Sequence, residues 1–189
     1  MVYWKEVYKE IGQRIIDKLL DDNDQPIIKH IDLWHEQVNY LTEELPFDCP
    51  AVFVEFNVIE ANDTGALVQH LTTQIDLHLF YETFSDTYMG AIMQDNALDY
   101  LDVLTKLNAI FHGKPGTTFS AMRKTDMKRE DSGGAGNLYR ITFECEIHDY
   151  SAERLFNEET MTNQDITIEN GIPDVVPPEM PFPEYSPET

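Results

Sequence analysis

NLYRITFECEIHDY, residues 137–150, alternates along its whole length. Tyr139, Ile141, Phe143, Cys145 and Ile147 fall on one side, and Arg140, Thr142, Glu144, Glu146 and His148 on the other. A period of two over that span predicts a strand with one buried and one wet face. LTTQIDLHLFYE at 71–82 repeats the pattern. There Thr73, Ile75, Leu77, Leu79 and Tyr81 share one face, and Gln74, Asp76, His78 and Glu82 the other, with Phe80 alone interrupting the polar side. Clean alternation is the habit of antiparallel sheets. AVFVEFNVI at 51–59 adds a strand rich in β-branched and aromatic residues. TTFSAMRKTDMK at 117–128 adds another, joined to 137–150 through the glycine-rich EDSGGAG at 130–136, so the two predict an antiparallel hairpin with a mobile tip. EANDTG at 60–65 reads as a loop. Residues 27–48 stay open between a strand near Ile27–Ile31 and a short helix around His35–Leu45.

Two helices complete the pattern. Trp4, Val7, Tyr8, Ile11, Ile15 and Leu19 recur at spacings of three and four, and DDND at 21–24 before Gln25-Pro26 stops the run. Leu98, Leu101, Leu104, Leu107 and Phe111, with Ala97 beside them, predict the second apolar stripe. Asp95 or Asn96 is the expected cap, and Gly113 the left-handed residue after the last turn, with Pro115 preventing continuation. The fold class is therefore α+β: a mostly antiparallel sheet flanked by two helices, over residues 1–150.

Composition changes after Tyr150. Residues 151–189 hold six of the ten prolines, nine acids and one base, Arg154. VPPEMPFPEYSPET cannot form helix or central strand. An acidic, Pro-rich, extended or disordered arm is expected there, carrying Ile166, Ile168, Ile172, Val175, Val176 and Phe182 as spaced apolar anchors for a neighbouring subunit.

The chain has 189 residues, of which 42% are hydrophobic, enough for a packed core. Its 35 acids face 13 Lys and Arg, a formal charge of −22. That balance excludes a general nucleic-acid binder that neutralises phosphates, and argues against docking on anionic lipid. No apolar run approaches the ~18 residues of a membrane-spanning helix. The opening MVYWKEVYKE lacks the layout of a signal peptide. Cys49 and Cys145 are expected to be reduced thiols, as in a cytoplasmic product, with Cys145 inert in the core.

Chemistry-bearing motifs are few. No GxSxG, GxxxxGK[ST] or HExxH occurs, and GGAG at 133–136 lacks the Lys-Ser/Thr of a phosphate loop. His30 and His35 would point about 140° apart on a helix, at ~100° per residue, and to opposite faces on a strand. His78 and His148 sit on polar strand faces, where a site with Asp76, Glu144 or Glu146 is conceivable but a solvated face is expected. Asp126-Met-Lys128 faintly echoes a metal-dependent nuclease without the partner acid. No catalytic residue, metal or cofactor is assigned. Arg123, Lys124, Lys128 and Arg129 make a local basic patch, a candidate contact for an acidic neighbour or for passing DNA.

QIDLHLFYE, then a leucine-striped helix ending at Phe111-His112-Gly113, then a strand opening Thr117-Thr118-Phe119-Ser120, a polar glycine loop, and LYRITFECEIHDYS closing at Asp149 and a small polar residue form a familiar layout. It resembles the tail terminator and head–tail neck (tail completion) proteins of tailed bacteriophages. The likeness spans about residues 66–150 and rests on spacing and residue class. The 27–65 stretch and the Pro-rich extension depart from it. The resemblance implies a virion structural protein made in the host bacterial cytoplasm. It implies a homo-oligomeric ring, a hexamer or dodecamer, that ends or connects the tail, meets other neck, portal or tail proteins, and passes DNA without binding it. The alternative is an acidic cytoplasmic adaptor or DNA mimic that binds a basic partner.

Overall fold

The computed structural model describes residues 4–40, 47–83, 85–132 and 136–155. Helix α1 (Trp4–Lys18) leads into β1 (His30–Leu33) and a short 3-10 helix at Gln37–Tyr40. Long strands β2 (Ala51–Gly65) and β3 (Val68–Tyr81), helix α2 (Gln94–Phe111), β4 (Arg123–Glu130) and β5 (Asn137–Asp149) follow. One five-stranded sheet results, in the order β1-β2-β3-β5-β4. Among these five strands, β1 and β2 pair parallel and the other three pairs are antiparallel. The expected α+β class is the observed one, with both helices packed on the same face of the sheet.

That face is the main core. Val7, Ile11, Ile15 and Leu19 of α1 and its exit meet Val52, Val54, Ile75, Leu77, Ile141 and Phe143 of the sheet. Tyr100, Val103, Leu104, Leu107 and Phe111 of α2 join them. Asp21 ends α1 by accepting the backbone N–H groups of Asn23 and Gln25, which turns the chain back toward the sheet. Trp4 is exposed and Tyr8 half-buried, the latter donating its hydroxyl to the Ile31 carbonyl at 3.2 Å.

The far face carries a second, smaller core of Val38, Ala51, Phe53, Phe80 and Leu138, roofed by Trp34, Phe47 and Cys49. This explains Phe80: its side chain fills the small core and is fully buried.

Several expectations are corrected. EANDTG at 60–65 is strand, not loop, because the start of β3 pairs with it as far as Gly65 and moves the turn to Ala66-Leu67. The buried stripe of α2 is Ala97, Tyr100, Val103, Leu104, Leu107 and Phe111; Leu101 faces solvent, since Tyr100 reaches the Tyr139 ring instead. Asp95 and Asn96 lie inside the first turn, after Met93 at the cap position, which makes no side-chain cap bond. Gly113 does take the left-handed conformation, φ 71°. The 117–128 strand begins only at Arg123; Phe119 and Met122 before it are buried in the core as loop residues. In 27–48 both readings have a part, as the strand sits at His30–Leu33 and a 3-10 turn at Gln37–Tyr40. Residues 151–155 form a helical turn, where an extended arm was expected to begin; Asp149 just before it accepts the Ser151 N–H at 2.8 Å in an Asx turn. The arm anchors Ile166, Ile168, Ile172, Val175, Val176 and Phe182 lie outside the described residues, as does most of the GGAG tip.

Candidate functional site

The β4–β5 hairpin forms one margin of the sheet. β4 has β5 on one side and, among the described residues, no strand on the other. From Arg123 to Arg129 every residue is exposed. Opposite residues in an antiparallel pair share a face. Arg123 and Lys128 lie opposite Glu144 and Arg140, on the far face, while Lys124 and Arg129 lie opposite Phe143 and Tyr139, on the helix face. The four bases therefore do not make one flat patch. They line both flanks of a free strand edge.

Two polar devices hold that edge. The first lies under the far face. His78 of β3 is 2% exposed, with Nδ1 2.9 Å from Glu130 Oε2 of β4 and Nε2 3.1 Å from Glu55 Oε2 of β2. A carboxylate oxygen only accepts, so both contacts are hydrogen bonds together only when the ring carries N–H on both nitrogens. Arg140 of β5 places Nε 3.4 Å from Glu130 Oε1 and Nη1 3.7 Å from Asp76 Oδ2. The Nε contact is an ion pair without hydrogen-bond alignment. Lys128 Nζ adds a 3.7 Å contact to Glu130. Fully buried Asp76 accepts from Thr142 Oγ1 at 2.6 Å and from Gln74 Nε2 at 2.7 Å. Burying such groups is costly unless each finds partners, and here the partners come from β2, β3, β4 and β5. The expectation of a solvated polar face at His78 and Asp76 is thus overturned: both are buried, and the Trp34 ring stacks on His78. His78 meets Glu55 and Glu130, not Glu144 or Glu146.

The second device fixes the loop that enters β4. Glu10 of α1 accepts backbone N–H groups from Thr117 (2.8 Å) and Thr118 (3.0 Å) and both threonine hydroxyls (2.8 and 2.7 Å). Burial pushes the Glu10 carboxyl up, but the bonds from Thr118 and Thr117 outweigh it and hold it below its ordinary value. Arg14 donates to the Pro115 carbonyl at 2.9 Å and lies over the Phe111 and Phe119 rings. From there Gly113 N–H reaches the Met122 carbonyl at 2.7 Å and His112 Nδ1 accepts the Lys124 N–H at 3.1 Å, which delivers the chain into β4.

The remaining chemistry-bearing residues are dispersed. His148 is exposed and faces His70 across β3–β5, ring centroids 4.8 Å apart, with Glu146 3.5 Å from His70. His30 packs on Phe47 and Phe53. Among the described residues, no group of three or more His, Cys, Asp or Glu is placed to hold a metal ion. Asp126 and Lys128 share the far face, as their alternation implies, with Thr142 and Arg140 opposite them. Cys145 is buried, as its strand position implied, and its thiol is pushed up to about 12 by burial and by the charges of Glu144 and Glu146. Cys49 is half-buried and raised to about 11, chiefly by burial. No described helix is long and apolar enough to cross a membrane.

Sequence reasoning missed the Glu55–His78–Glu130 bridge and the Glu10 clamp. The two partners of His78 lie 23 and 52 residues away from it, and Thr117 lies 107 from Glu10. One signal was present: Phe80 on a polar strand face marks a covered surface.

No protein-family model matches this chain, and no curated protein matches it in sequence.

Proposed function

We propose that this chain is a virion building block: the subunit of a ring at the head–tail junction of a tailed bacteriophage, which ends or connects the tail and lets DNA pass. The observation that carries the reading is the edge strand β4, exposed from Arg123 to Arg129, whose last residue Glu130 is tied to His78 and Arg140 and whose approach loop is clamped by Glu10. An eight-residue edge left open in a monomer is a template for aggregation. A protein that joins copies of itself has a use for one. The acidic balance suits a channel wall, since like charges keep DNA from sticking. Arg123, Lys124, Lys128 and Arg129 then contact a neighbour at the edge, and the arm with Ile166, Ile168, Val175, Val176 and Phe182 reaches between subunits.

Light scattering and negative-stain electron microscopy of the purified chain test this. Closed rings with a central channel, of six or twelve copies, are the expected result. A monomer at every concentration, with no ring on the grid, overturns it.

A further inference from the structure

The sheet has a second open margin. β1 covers only Ala51–Val54 of β2; beyond Val54, among the described residues, β2 has β3 on one side and no strand on the other. From Asn57 to Gly65 that margin is fully exposed. Its acids are Glu60 and Asp63, with Glu55 at its root, and it carries no base. The opposite margin, β4, carries four bases against Asp126 and Glu130. Each margin also shows large apolar side chains to solvent: Val58 and Ile59 on β2, and Met127 on β4.

Two edges of one sheet, open among the described residues, of similar length and opposite charge, and each with exposed apolar side chains, are complementary to one another and not to themselves. We infer that the β4 edge of one copy pairs with the outer β2 edge of the next copy, head to tail, so that main-chain hydrogen bonds continue the sheet between subunits. The inference rests on the self-assembly reading and specifies its contact. An acidic edge meeting another acidic edge is repulsive, which disfavours a two-fold dimer through β2; the same holds for the basic edges. A head-to-tail contact uses two different surfaces of each molecule, and closes into a ring where the rotation allows. The main chain supplies pairing, and the charges choose which edge meets which.

The full-length chain tests this by charge exchange. Lys124→Glu with Arg129→Glu makes both edges acidic, and neither residue belongs to the Glu130 network. Glu60→Lys with Asp63→Lys makes both basic. Each double variant is expected to lose assembly in light scattering while keeping the wild-type thermal transition. A 1:1 mixture of the two, and a single chain with all four substitutions, are expected to regain it. Hydrogen exchange gives an independent backbone readout: amides in 57–65 and 123–130 should gain protection together as protein concentration rises. A wild-type ring that survives both double variants sinks the edge pairing and leaves the ring standing. A wild-type chain that never associates sinks both. A folded four-substitution chain that stays monomeric also overturns the edge pairing.

Discussion

His78 lies flat against Trp34, the ring centroids 4.1 Å apart and the planes 3° from parallel. One residue is on a central strand; the other follows β1 and roofs the far face. The stack closes the space over a histidine whose two nitrogens each meet a carboxylate, so it joins the covering segment to the strands beneath it.

Removing the imidazole leaves Glu55 and Glu130 facing each other without the group between them. His78→Ala is expected to destabilise the fold by about 2–3 kcal/mol, below the range for fully buried pairs because Glu55 is one-third exposed. Glu130→Gln should cost less, about 1–2 kcal/mol, and Glu55→Gln under about 1 kcal/mol. Urea denaturation of the three variants checks the order.

Glu10 makes stability depend on acid. Its carboxyl is held below its ordinary value of 4.5, so the folded state binds the proton less readily than the unfolded chain. The contribution is therefore fully present above that value and is lost as the pH falls through the lower, folded value. Glu10→Gln should be less stable than the parent at pH 7, and the gap should narrow on acidification below 4.5. Paired unfolding curves across pH 3–7, at the approximate spacing of one unit, measure it.

Both thiols should be sluggish. With Cys145 raised to about 12 and Cys49 to about 11, the reactive thiolate is scarce at neutral pH. A colourimetric thiol reagent at mildly alkaline pH is expected to react slowly with the native protein and rapidly with both cysteines in denaturant. Fast native labelling of Cys145 would contradict its place in the core.

Gly136 sits at φ 87° where the chain enters β5, and a Cβ there would meet the Tyr81 carbonyl oxygen at 2.9 Å. Both the backbone angle and the close backbone contact oppose a side chain. Gly136→Ala is expected to cost about 1–3 kcal/mol, read as a lower melting temperature.

Deleting residues 155–189 should leave a cooperative thermal transition. Among the described residues, both hydrophobic clusters draw their buried residues from positions 7–147. Loss of cooperativity on truncation would show that the arm belongs to the fold.

The sequence by itself determined the strand faces of 71–82 and 137–150, the core side of α1, the glycine after α2, and the α+β class. Those are local: a period of two or of 3.6 is printed in neighbouring residues, and burial follows from which face is apolar. Only the tertiary structure decided that Glu60–Gly65 is strand, because an Asn- and Asp-rich run takes extended form when β3 offers it a ladder. It alone decided that Tyr100 and not Leu101 faces the core, a choice between adjacent positions set by the Tyr139 ring. It alone brought Glu55, Glu130 and Trp34 around His78, and Thr117 and Thr118 onto Glu10. A polar residue carries no mark of its distant partner in its neighbours, and strand order, which sets those partners, is fixed by packing across the whole sheet.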